Sequence, residues 1–183
     1  TLNEVTRQLT STLELEPLLQ NILQSAVDIL SCAAGSLLLV DETTDELVFR
    51  VVVSPVASDL VNRRLPAGVG VVGKAVKSKG PIIVNDVTRF PEWFSQTDKK
   101  TGFLTRALLV IPLLVKERVI GVIEVINKKD GSPFSQDDQD LLSAFASQAA
   151  VAMENARLYT NTDQALAARV EELSVMQRID REL

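Results

Sequence analysis

The sequence contains no histidine in its 183 residues. That absence removes Ser–His and Cys–His nucleophile pairs, imidazole general bases, and the commonest protein ligands of zinc and haem iron. Carboxylate, lysine and metal-assisted chemistry stay open, so an enzyme is disfavoured without being excluded. Cysteine is reduced to one residue, Cys32, which leaves no internal disulfide to form and fits a reducing, cytoplasmic compartment. With neither a second thiol nor a histidine beside it, Cys32 reads as a small apolar side chain. Positive charge is in deficit: 19 Lys and Arg against 24 Asp and Glu give a formal net charge of −5. That balance argues against a nucleic-acid or membrane partner, whose phosphates need clustered Lys and Arg. Long apolar runs are missing too. The longest, Ala107 to Val115, contains Pro112 and stops at Lys116, well short of the roughly 20 residues of a spanning helix. No secretory leader is visible.

What is present is a large apolar fraction, 46%, enough for the core of one domain with flanking segments. Leucine and other apolar residues at helical spacing predict helix over residues 2–31, with Pro17 opening the first turn of its second part. Ser36 to Val40 and Leu47 to Val53 read as a hairpin around the polar stretch Asp41 to Glu46. Short helices are expected over residues 55–63 and 69–79, a strand at Pro81 to Asn85, and a long loop over residues 86–102 with one helical turn. Ala107 to Leu114 and Val119 to Ile126 read as strands at the centre of an antiparallel sheet. Ser135 is placed to cap a final helix whose first turn holds Asp137 and Asp138 and whose apolar face carries Leu141, Leu142, Phe145, Ala149 and Ala152. Beyond Leu158 that face narrows to Leu166, Val170, Leu173, Met176, Ile179 and Leu183. A stripe this thin suits one partner helix, and a parallel homodimer through the terminal helices is the favoured reading over a helix docked on its own domain.

Several groups of residues invite a chemical reading. Gly68-Val69-Gly70-Val71-Val72-Gly73-Lys74 satisfies GxGxxG and nearly a phosphate loop, yet Ala75 lacks the hydroxyl that would hold magnesium, and no buried parallel strand precedes it. The favoured reading is a glycine-permitted turn into a closely packed helix. Lys128 leaves the last strand while Asp138 lies in the first turn of the final helix, so the two can tie sheet to helix or stand as separate solvated charges. Asp98 to Arg106, with Thr101 and Thr105, supplies polar groups beside a sheet edge. Phe90, Trp93, Phe94 and Phe103 lie in or beside that stretch, either to stack on a flat ligand or to pack the loop down. Glu124 sits in an otherwise apolar strand, on the face of Val122 and Ile126, where it meets either solvent or a pocket.

Taken together, the run Asn127-Lys128, Phe134 and Asp138 is similar to a signature of the GAF domain family, with Gln139 where that signature has a glutamate. Thr101-Gly102-Phe103-x-Thr105-Arg106, Ile111-Pro112-Leu113 and Ile120-Gly121-Val122-x-Glu124 resemble the family's central strands. The likeness implies an α+β fold: a GAF-like central six-stranded antiparallel sheet with helices on both sides and long N- and C-terminal helices. It implies a linker helix over 1–15, a GAF domain over 16–157 and a C-terminal signalling helix over 158–183. In cyclic-nucleotide-binding members the signature's Lys and Asp form a structural bridge, and by motif position the ligand contacts fall on Ser36, Phe49, Asp98, Thr101, Thr105 and Glu124. The bilin, haem and methionine-sulfoxide-reducing branches need histidine or several cysteines, which this chain lacks. No cofactor is certain; a cyclic nucleotide is the candidate ligand. The chain starts at Thr1 and its final residues continue a helical pattern, so it reads as a piece of a larger signalling protein with a downstream output domain. The expected role is a non-enzymatic sensor of a small molecule, with a ligandless dimerisation and relay module as the alternative.

Overall fold

The computed structural model describes the backbone of residues 2–90 and 102–182, and side chains at 15–90, 102–158, 166 and 168–173. Helix α1 (Leu2–Ile29) is followed by β1 (Cys32–Val40), β2 (Leu47–Val53), the short α2 (Ala57–Leu60), β3 (Arg64–Leu65) and α3 (Gly70–Ser78). Then come β4 (Ile82–Val84), a 3-10 turn at Val87–Arg89, β5 (Leu108–Val115), β6 (Arg118–Lys128) and α4 (Gln136–Glu182). Six strands form one sheet in the order β3-β2-β1-β6-β5-β4, and every pairing is antiparallel.

The sequence expectation of α+β architecture with helices on both sheet faces holds. Alternation along the strands sends one set of side chains to each face. Leu37, Leu109, Ile111, Ile123 and Val125 meet the buried stripe Leu19, Ile22, Leu23, Ala26 and Val27 of α1 and Leu142, Ala146, Ala149 and Ala150 of α4. On the other face, Leu38, Phe49, Leu108, Val110 and Val122 meet Leu60 of α2 and Val71, Val72 and Ala75 of α3.

Three expectations need correction. The helix does not restart at Pro17 but runs through it; the lost backbone bond is offset by the apolar stripe that α1 buries on the sheet. The innermost strands are β1 and β6, with β5 one place outward, because β1 is inserted beside β6 by its own long register from Cys32↔Lys128 to Leu39↔Gly121. Leu141 is 39% exposed, and the buried face of α4 is rotated onto Leu142, Ala146, Ala149 and Ala150, where small residues let α1 and the sheet approach. The stretch before the glycine run, read as unfit for a buried parallel strand, holds the short antiparallel edge strand β3, paired through Leu47↔Leu65 and Val48↔Arg64.

Candidate functional site

The cross-strand register of the two central strands sets Ser36 of β1 directly opposite Glu124 of β6. Both are buried, and the Ser36 hydroxyl donates to Glu124 Oε1 at 2.6 Å. Glu124 lies on the face of Val122 and Ile126, as alternation predicts, and that face is the floor of a cavity of about 70 Å³. The walls are mostly apolar: Phe49 and Val52 of β2, Leu60, Leu65, and Val69 to Val72 at the start of α3. Ser36, Ser54, Thr105 and Glu124 are its side-chain polar groups. An apolar cleft with a few converging polar groups is the usual build of a small-molecule site.

Of the residues expected to contact ligand, Ser36, Phe49, Thr105 and Glu124 therefore come together around one cavity. Asp98 and Thr101 lie outside the described residues, as do Trp93 and Phe94. Phe103 joins the lining. Phe90 packs instead on the cavity-side core, with Lys74 Nζ 4.9 Å from its ring centroid.

The glycine run explains itself sterically. Gly68 and Gly70 have φ of 72°, the left-handed region open to glycine, and a Cβ at Gly73 would sit 2.5 Å from the backbone carbon of Gly68. The loop thus folds tightly onto α3 and delivers Val69 to Val72 to the cavity wall.

Asn127 has a role that its place in the motif does not announce. Its Oδ1 accepts the backbone N–H groups of Arg106, at 2.8 Å, and Ala107, at 3.1 Å, while its Nδ2 donates to the Leu104 carbonyl at 2.8 Å. Those bonds grip the chain on either side of Thr105, a buried cavity residue, so Asn127 positions the segment that carries it. Arg106 in turn accepts the Val87 N–H at 3.0 Å and holds the 3-10 turn.

Lys128 and Asp138 form the bridge that their spacing allows, Nζ to Oδ2 at 2.9 Å, with side chains 17% and 13% exposed. Burial pushes the Asp138 carboxyl up, but the Lys128 ammonium and the hydrogen bonds from Ser135 outweigh it and leave the group below its ordinary value. The hydrogen bond to Asp138 raises Lys128 against the opposing effect of burial. Asp138 Oδ2 also accepts the Ser135 N–H at 2.9 Å, and the Ser135 hydroxyl accepts the Asp138 N–H at 3.3 Å, a reciprocal cap at the start of α4. Phe134 is buried and is pinned by Asn85, which the sequence shows only as the end of a strand. Asn85 Oδ1 accepts the Phe134 N–H at 2.8 Å and its Nδ2 donates to the Phe134 carbonyl at 3.4 Å. Forty-nine residues separate the pair, so no local signal could reveal it.

Cys32 is fully buried, and burial is the main cause that pushes its thiol up to about 12, which keeps it protonated and unreactive at neutral pH. Among the described residues no group of His, Cys, Asp and Glu gathers as a metal site, and no helix is long and apolar enough to cross a membrane.

A profile of the GAF domain matches residues 12–154. The dual 3',5'-cyclic-AMP and -GMP phosphodiesterase 11 of Drosophila melanogaster is 28% identical over 170 residues, covering 85% of this chain and 12% of that protein. The alpha' subunit of the mouse (Mus musculus) cone cGMP-specific 3',5'-cyclic phosphodiesterase is 33% identical over 88 residues, 48% of this chain and 10% of the subunit. The chain thus spans only about a tenth of the length of these curated relatives. Among solved structures, the GAF domain of a Coxiella burnetii phosphoenolpyruvate-protein phosphotransferase matches with a TM-score of 0.73 at 20% identity, over 87% of this chain and 98% of its own. A free methionine-R-sulfoxide reductase from Neisseria meningitidis, solved with its substrate, matches at 0.66 and 26% identity, over 79% and 80%.

Proposed function

The chain belongs to the GAF domain family, a family of regulatory domains in signalling proteins, and from that membership we propose that it senses a small molecule at the Ser36–Glu124 floor. The observation that carries this reading is the buried Ser36–Glu124 pair, which faces a cavity and not a filled core. Polar groups converging on the floor of an apolar cleft can orient a small ligand that reaches them. The cyclic-nucleotide phosphodiesterases among the relatives make a cyclic nucleotide the first candidate.

The cavity of about 70 Å³ is far below the roughly 300 Å³ at the lower end for drug-sized ligands. A nucleotide therefore enters by displacing a wall. The floor is two central strands, so the yielding side is the one built by α3 and the Thr105 segment. Binding then becomes a choice between two wall positions, and the ligand shifts the equilibrium by its differential affinity for them. Strand β6 carries both Glu124 and Lys128, and the Lys128–Asp138 bridge passes strain from the floor to the start of α4. We assign residues 1–15 to a linker, 16–157 to the sensing domain and 158–183 to a signalling helix that pairs in a homodimer and leads to an output domain in the cytoplasm. The role is regulatory and not catalytic.

The small, mostly apolar cavity also favours a second reading, a relay module that binds nothing. Thermal-shift assays with cyclic AMP, cyclic GMP and common metabolites separate the two. One-site binding at 100 times the dissociation constant stabilises by about 2.7 kcal/mol. A response that vanishes in Glu124→Gln and Thr105→Ala is the expected result; silence across the panel leaves the relay reading.

A further inference from the structure

The pocket over Ser36 and Glu124 joins a polar floor to a stiff apolar wall. Register sets Ser36 between Val52 of β2 and Glu124 of β6, with Ala34 opposite Ile126 one rung further along. All of these line the cavity, so the polar pair sits between apolar neighbours on the floor. A carboxylate accepts several hydrogen bonds at once, so Glu124 can accept a ligand N–H or O–H together with the Ser36 hydroxyl.

Val71 and Val72 of the wall belong to the first turn of α3. A helical valine holds one strongly preferred χ1 rotamer, so these side chains neither swing in to fill the space nor swing out to enlarge it. While α3 keeps its place, the cavity keeps its size. That size is about 70 Å³, about half of the roughly 150 Å³ apolar cavity that takes up benzene. By proportion it holds about three to five non-hydrogen atoms.

We propose that the pocket, with α3 in this position, binds a compact branched aliphatic molecule of that size with one hydrogen-bond-donating head, an amine or an alcohol, set against Glu124. The alkyl body meets Phe49 and the valine wall, and the head meets the carboxylate. This rests on the sensor reading for the place of the site and departs from it in the class of ligand. A nucleotide needs α3 displaced, whereas this ligand needs it in place, so each excludes the other.

The test is an NMR titration of the isotope-labelled chain, read at the amides of Ala34, Ser36 and Val72. Isobutanol and isobutylamine carry the donor and separate an alcohol from an amine head. Methyl isopropyl ether, an isomer of isobutanol, lacks the donor, propane-1,2-diol matches it in heavy atoms with a polar body, and cyclic GMP is titrated alongside. Saturable shifts with a dissociation constant of about 10 mM or tighter are expected for at least one donor probe. The ether should bind at least about threefold more weakly than isobutanol, and the diol more weakly still. In Glu124→Leu the advantage of the alcohol over the ether should vanish. In Val69→Phe, which adds a ring at a half-buried wall position, every small probe should weaken at least about tenfold. The spectra report whether each variant is folded, and the wild-type comparison of alcohol with ether decides even where a variant is not. No saturable shift with either donor probe, an ether that binds as well as the alcohol, or shifts confined to residues away from the cavity overturns the proposal. A cyclic GMP response without any small-probe response overturns it and leaves the sensor reading standing. Donor-probe binding at the cavity without a cyclic GMP response supports it and removes the nucleotide.

Discussion

Lys128 and Asp138 carry opposite charges at the junction of β6 and α4, and each keeps the other in its ionised form. Asp138 sits below its ordinary value, so its contribution to stability is present above about pH 4 and is lost as pH falls through the lowered value. Lys128 sits above its ordinary value, so its contribution is present below about pH 10 and is lost as pH rises through the raised one. The bridge therefore acts at full strength between those limits. Lys128→Met should cost about 2 to 3 kcal/mol in urea unfolding at pH 7, near the lower bound for a stranded buried charge because both heads keep some solvent. The difference from wild type should stay flat across neutral pH and shrink below about pH 4. A cost under about 0.5 kcal/mol at pH 7 would mark the two as independent surface charges. Among single residues, the sequence identified this pair, Glu124's face and the inertness of Cys32, because each follows from strand alternation, spacing or elimination. It passed over Asn85, whose meaning depends on a partner far along the chain.

Element α3 is placed by a backbone-to-backbone approach that only glycine permits. In Gly73→Ala the new Cβ would meet the backbone of Gly68, which has no flexible side chain to move aside. The first turn of α3 should be pushed off the preceding loop at a cost of about 1 to 3 kcal/mol, read as a lower urea midpoint with an unchanged slope. Because Val69 to Val72 form a cavity wall, any ligand response of the wild type should weaken in the same variant. Retained stability together with a retained response would show that the loop has room which the structure does not show. The strands and helices themselves were legible from periodicity. The two-residue β3 was not, because its pairing with β2 rather than any propensity makes it a strand.

For the molecule as a whole, the question is what covers the far half of α4. Leu166, Val170 and Leu173 are 45%, 51% and 52% exposed and follow one another at steps of four and three residues. That spacing suits a seam with one partner helix, as in the homodimer proposed above. Leu166→Glu with Leu173→Glu should shift the protein toward monomer by at least about tenfold in sedimentation equilibrium, while the melting of the sheet domain stays within about 1 kcal/mol of wild type. Self-association that survives both charges would place the interface elsewhere.

The sequence by itself placed most of the strands and helices and the face of Glu124, and through its likeness to the GAF signature implied the fold class, since alternation, helical spacing and short motifs are local properties of the chain. Tertiary structure decided that Ser36 meets Glu124, that Asn127 holds Thr105 in place and that Leu65 pairs with Leu47 at the cavity wall. These depend on the register of β1 against β6 and of β3 against β2, which is fixed by packing between segments distant in sequence and has no counterpart in any single stretch of it.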